Sequence, residues 1–207
     1  MSIRALKRFV SEKFGSETNW FKASSVDSLL QSAAADSVKA SDLHALRALR
    51  EDEGRIRGKV AIVGAGPAGL AAAQDLALLG HEVHAFEAHE QAGGMLRYGI
   101  PAYRLPRDLL DAEIQIVLDL GVTLHCGVRL GEDLSLSGLR EQGFDATFLA
   151  VGAQKGRNLR IPGEDLAGVM QSVDFLREAN AGEPPELGQR IVVVGGGISG
   201  LAAAYYY

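Results

Sequence analysis

From residue 59 onward the apolar positions fall into blocks whose periods change in a readable order. After Lys59, VAIV is an unbroken apolar run that leads into a glycine cluster, PAGLAAAQDLALLG is rich in alanine and leucine, and HEVHAFE returns to an extended pattern. This order predicts a strand, a tight turn, a helix and a second strand. In PRDLLDAEIQIVLDLG, residues Leu109, Leu110, Ile114, Val117 and Leu118 form an apolar stripe at helical spacing. Pro106 suits the first turn of that helix and Gly121 its end. LGVTLHC reads as a short strand, and FDATFLAVG as a buried apolar one. The fold class expected is therefore α/β, built on a Rossmann-like βαβ start. Ahead of it, residues 1–57 read as a helical extension. Ile3, Leu6, Val10 and Phe14 fall near one helical face, with Arg4, Lys7, Arg8 and Lys13 elsewhere. Such a basic amphipathic helix can meet a membrane surface, but packing on its own domain or on a partner subunit is the reading adopted.

The strand-and-glycine plan occurs twice. Aligning Lys59 with Arg190 places Gly64 on Gly195, Gly66 on Gly197 and Gly69 on Gly200, and GLAAA recurs at the same offset. The first copy, Gly64-Ala65-Gly66-Pro67-Ala68-Gly69, is a G-x-G-x-x-G fingerprint. In such a motif the first glycine permits the tight turn, the second admits a pyrophosphate to the backbone, and the third lets helix and strand pack closely. Pro67 is tolerated in the first helical turn, where its missing N–H would be unpaired anyway. Glu87 closes the second strand, roughly 20 positions on, where an acid can take the ribose hydroxyls. A dinucleotide is expected here; the strand–helix–strand unit alone permits either NAD or FAD.

Composition narrows the chemistry. The 207 residues carry a net charge of −5, which argues against a nucleic-acid partner. Cys126 is the single cysteine, so these residues hold neither a disulfide framework nor, by themselves, an iron–sulfur cluster. We read Cys126 as a small core residue. His44, His81, His84, His89 and His125 show no metal-ligand spacing and read as ordinary surface or strand residues. No apolar run reaches membrane-spanning length and none has signal-peptide character, so a cytoplasmic location is expected.

The stretch AGGMLRYGIPAYRLPRDLLDAEI (residues 92–114) resembles the glutamate synthase small-subunit family of flavin- and pyridine-nucleotide-dependent oxidoreductases. The resemblance runs on through DLGVTLHCGVRLGEDLSLSGL, FDATFLAVGAQKGRNLRIPGEDLAGVMQSVDFL and IVVVGGG. It implies that the first fingerprint (Gly64, Gly66, Pro67, Ala68, Gly69) holds FAD, with Glu87 on the adenosine ribose. It implies that the GG-x-L-x-YGIP loop lies against the flavin, bringing Gly93, Gly94, Leu96, Arg97 and Ile100 beside the cofactor. Arg104 and Pro106 belong to the same signature, and the backbone of Val128 would meet the adenine. Gly152 would end the strand from which the chain passes towards an NAD(P)H domain, whose fingerprint is Gly195, Gly197 and Gly200. The resulting divisions are 1–57 for the extension, 58–187 for the first segment of the FAD domain, and 188–207 for the start of the NAD(P)H domain.

The activity implied is hydride transfer between NAD(P)H and FAD, with electrons exchanged with an iron–sulfur protein or subunit inside a hetero-oligomeric complex. No acid–base residue is required, so none is named as catalytic. Arg97, by its charge, is expected to favour anionic reduced flavin. GGMLRYGIP lacks the cysteine pair of disulfide reductases. The extension lacks the cysteines with which glutamate synthase small subunits bind iron–sulfur clusters, which favours a diaphorase-type subunit over glutamate synthesis itself. Relatives of this kind are about twice as long, so the chain is read as part of a longer protein, with NADH or NADPH selectivity lying beyond Tyr207. Two alternatives stay open: a flavin fold kept as a non-catalytic scaffold or assembly subunit, and a separate amine-oxidase-like FAD domain starting at GGGISGLAAAY.

Overall fold

A computed structural model describes residues 57–206. The amphipathic and Ser/Ala/Asp-rich segments expected within 1–57 lie, save for Arg57, outside the described residues. The apolar run after Gly58 forms strand β1 (Lys59–Val63), and Gly66 is the N-cap of helix α1 (Pro67–Leu78). Strand β2 (Glu82–Glu87) follows and pairs with β1 in parallel, from Lys59 opposite Glu82 to Val63 opposite Phe86. A single turn, α2 (Met95–Tyr98), leads to helix α3 (Arg107–Asp119) and strand β3 (Thr123–Cys126). The remaining elements are α4 (Leu136–Glu141), β4 (Ala146–Leu149), α5 (Ser172–Ala181) and α6 (Ile198–Tyr206). The sheet is wholly parallel in the order β3-β2-β1-β4.

From Val60 to Val63 β1 is apolar without interruption because both its faces are covered. Ile62 enters one core with Leu70 and Ala73 of α1 and with Leu110, Ile114 and Val117 of α3. Its neighbours Ala61 and Val63 enter the opposite core with Phe86, Leu134, Leu139 and Phe144. That alternation is the two-residue period of a strand between two layers. The stripe read on α3 is the stripe that packs: Leu110, Ile114 and Val117 are buried, while Leu109 and Leu118 are half-buried at its margin. Gly121 follows the helix at φ +97°, with no atom near its missing side chain.

Three expectations are corrected. The run FDATFLAVG forms a strand only over Ala146–Leu149, and all four residues are exposed rather than buried. β4 is the outer strand, bonded to β1 alone, and the described residues leave its faces open. Cys126 is exposed on the opposite edge strand, not a core residue. Residues 191–194 form no ladder, and Val192 and Val194 are 86% and 72% exposed, because no described strand lies alongside them. Among the described residues no helix is long and apolar enough to cross a membrane, and no cluster of His, Cys, Asp or Glu could hold a metal ion.

Candidate functional site

The site starts from three glycines. Gly64 leaves β1 at φ +105°, its N–H donates to the Phe86 carbonyl over 2.7 Å, and a Cβ there would stand 2.3 Å from the Ala150 oxygen. At Gly69 a Cβ would stand 1.8 Å from the Gly64 oxygen, so helix and turn close only on a bare backbone. Gly66 brings no side-chain cap and the first turn of α1 no acidic residue. The free N–H groups of that turn and the positive end of the helix are thus left for an anion. Gly94, at φ +51°, faces Gly66 directly: a Cβ on Gly94 would meet the Gly66 Cα at 2.8 Å, and one on Gly66 would meet the Gly94 Cα at 3.7 Å. Two unadorned backbones therefore form the mouth of the turn.

Glu87 is 5% exposed at the end of β2. Its Oε2 accepts the Ala65 N–H over 2.9 Å and its Oε1 the His89 N–H over 3.0 Å. The carboxylate thereby locks the fingerprint turn to the strand end, and each oxygen keeps a lone pair for a ribose hydroxyl. The Val128 N–H donates to the Glu87 carbonyl over 2.9 Å. Only the Val128 carbonyl is left to meet a base, since it accepts no hydrogen bond among the described residues.

These residues open on a cavity of about 980 Å³. Of the positions singled out in the sequence, Gly64, Gly66, Pro67, Ala68, Glu87, Gly94, Val128 and Gly152 line it. Gly69, Leu96, Arg97 and Ile100 do not line it. Arg97 is 6% exposed; its Nε donates to the Ala92 carbonyl over 2.6 Å and its Nη2 pairs with Asp111. Its guanidinium is thus committed to Ala92 and Asp111, and it anchors α2 to α3. Met95, Tyr98, Gln154, Lys155, Asp174 and Arg177, not singled out in the sequence, also line the cavity. Met95 and Tyr98 could have been found from their places inside the YGIP signature. Lys155 lies in irregular chain and Arg177 on a helix, and the resemblance assigned neither side chain a role. Burial pushes the Tyr98 hydroxyl above its ordinary value, and it donates to the Gln91 carbonyl over 3.3 Å.

The second glycine cluster repeats the first in detail. Gly195 has φ +109°, a Cβ at Gly200 would stand 2.3 Å from the Gly195 oxygen, and the Leu201 N–H donates to the Gly197 carbonyl over 3.0 Å, as the Leu70 N–H does to Gly66 over 2.9 Å. Gly195, Gly197 and Gly200 lie outside the cavity of the first fingerprint.

With this geometry in place, residues 58–207 match the family model described as pyridine nucleotide-disulphide oxidoreductase. The chain belongs to that family. Within it, the chain is 48% identical over 144 residues to the NADPH-Fe(3+) oxidoreductase subunit beta of Geobacter sulfurreducens, covering 67% of this chain and 21% of that protein. It is 43% identical over 154 residues to the glutamate synthase [NADPH] small chain of Mycobacterium tuberculosis, covering 68% of this chain and 31% of that one. Among solved structures, Mycobacterium tuberculosis FprA in complex with NADPH matches with a TM-score of 0.52 and 31% identity, over 61% of this chain and 29% of that chain. The chain thus spans between a fifth and a third of the curated relatives named here. Despite the family's name, one cysteine cannot supply a redox pair within these residues.

Proposed function

We propose that the first fingerprint holds FAD and that the protein passes electrons between NAD(P)H and an iron–sulfur partner or subunit. The observation that carries this reading is the cradle itself: Gly66 and Gly94 face each other without side chains, at a helix N-terminus free of acidic residues, with the buried Glu87 carboxylate beside it. FAD and NAD(P)H are the cofactors of the family. The residues present fit an FAD: N–H groups of the α1 first turn for the pyrophosphate, Glu87 for the ribose, and the Val128 carbonyl for the adenine amine. When bound, the flavin supplies hydride exchange with NAD(P)H and one-electron exchange with a metal centre. The chain's own part is to bind, orient and exclude water. Glu87 fixes the adenosine end, the α1 terminus offsets the pyrophosphate charge, and Met95 and Tyr98 wall the cavity.

The second fingerprint, Gly195, Gly197 and Gly200, reads as the opening of the NAD(P)H site, in a domain beginning near residue 188. Relatives named as subunits, such as the NADP(+)-dependent formate dehydrogenase subunit beta of Moorella thermoacetica, support a place in a hetero-oligomeric complex. The test is anaerobic addition of NADPH and, separately, NADH to the natural polypeptide. Bleaching of a bound-flavin absorbance band by one of them supports the reading. A flavin that neither reduces, or a colourless protein, contradicts it and favours a scaffold.

A further inference from the structure

Gly99 caps the single turn α2 through its N–H to the Met95 carbonyl, while the Leu96 and Tyr98 carbonyls are taken up by side chains of other elements. Arg107, at the start of α3, donates through Nη1 to the Leu96 carbonyl over 3.1 Å and through Nη2 to the Ile100 carbonyl over 2.9 Å. The same Nη2 reaches Asn180 Oδ1 on α5 over 2.8 Å. Asn180 Nδ2 then donates to the Tyr98 carbonyl over 3.0 Å. Asn180 is suited to this place because its amide must accept from a guanidinium, which only donates, and donate to a carbonyl, which only accepts. These opposed partners fix the amide orientation without ambiguity.

The two residues join two walls of one cavity. α2 contributes Met95 and Tyr98 to the lining, and α5 contributes Asp174 and Arg177. Arg177 in turn donates to Asp174 over 2.9 Å and to the Gln154 carbonyl over 3.1 Å, tying α5 to the chain that leaves β4. Arg107 and Asn180 do not line the cavity themselves. Arg97 holds α2 through Ala92 and Asp111, and Arg107 with Asn180 holds its far end.

We propose that Arg107 and Asn180 are positioning residues, a clamp that sets the spacing of the α2 wall against the α5 wall and with it the surroundings of the flavin. This rests on the reading that the cavity takes FAD. Reactivity is sensitive to such placement, since displacing a reacting group by about 1 Å can lower a rate about 100-fold.

The experiment uses the complete natural polypeptide with Arg107→Lys, Asn180→Ala and Asn180→Asp. Asp is isosteric; it keeps the acceptor for Arg107 and removes the donor to Tyr98, so it carries the test if Arg107→Lys does not fold. The measurements are FAD content, visible circular dichroism of the bound flavin, the rate of its anaerobic reduction by NAD(P)H, and melting temperature. We expect each variant to retain FAD, to change the visible dichroism, and to reduce about tenfold more slowly for Asn180→Ala, with Asn180→Asp between it and the unsubstituted protein. Variants whose dichroism and reduction rate match the unsubstituted protein, whatever their melting temperature, overturn the clamp. An unsubstituted protein that binds no flavin overturns the FAD reading, and the clamp's role with it.

Discussion

Gly69 and Gly143 are both glycines, but only one is held by its surroundings. A methyl group at Gly69 would lie 1.8 Å from the Gly64 oxygen, whereas one at Gly143 meets nothing within 4 Å and suffers only from φ +82°. Gly69→Ala is expected to destabilise the fold by about 3 kcal/mol or more, through displaced backbone. Gly143→Ala should lose about 1–2 kcal/mol, the strain of a left-handed residue. Chemical denaturation of the pair measures the contrast. Glu87 is held as firmly. In Glu87→Gln an amide nitrogen must face the N–H of either Ala65 or His89. The substitution should cost about 1–3 kcal/mol of stability and about 10- to 100-fold in FAD affinity, read by denaturation and by titration of the apoprotein. The roles of Gly64 and Gly69 in the turn were legible in the sequence because the spacing itself encodes the contact, whereas Glu87 was read for a ribose and its bonds to the Ala65 and His89 N–H groups were not foreseen. Arg97 was also less legible: its motif position implied the flavin, while Ala92 and Asp111 hold its guanidinium.

At the scale of elements, β2 and β3 are joined by more than their ladder. His125 stacks on Phe86 with centroids 4.7 Å apart, and its Nε2 lies 3.0 Å from His84 Nδ1. One ring must donate and the other accept, so the pair cannot keep this contact with both rings protonated. Burial first, and then the neighbouring His84, hold His125 below its ordinary value of 6.5. Its folded state therefore binds fewer protons than its unfolded state. The associated stability is present above pH 6.5 and is lost as the pH falls below that value. Glu82, which is hydrogen-bonded to His84, is held below 4.5, so its contribution is lost only in more acidic solution. The melting temperature should accordingly fall as the pH drops below 6.5, and His125→Phe should remove most of that fall while keeping the stack on Phe86. An unchanged fall would show that the histidine pair does not govern it. Both histidines had read as ordinary strand residues, because a cross-strand pair depends on register, and register is not written in either strand alone. The same holds for β4. Its apolar run predicted burial, but a strand at the sheet edge keeps that pattern without the cover.

For the molecule as a whole, the βαβ start, the glycine turns and the family were legible from residues 59–87 and from the loop motifs that follow. The second fingerprint was legible as a turn and helix, and its glycine geometry repeats that of the first. Its strand does not form, since a parallel strand needs neighbours that none of the described residues supply. The cavity wall formed by Lys155, Asp174 and Arg177 was not legible, because the resemblance assigned these side chains no role and the wall forms only where irregular chain after β4 meets α5. The central claim is that FAD sits in the first fingerprint, between Gly66, Gly94 and Glu87. Its most direct test is the flavin content of the natural polypeptide, released by denaturation and identified by mass, beside that of Glu87→Ala. One FAD per chain, largely lost in the variant while the fold persists, is the result predicted. No flavin in the unsubstituted protein, or equal flavin in both, would contradict it.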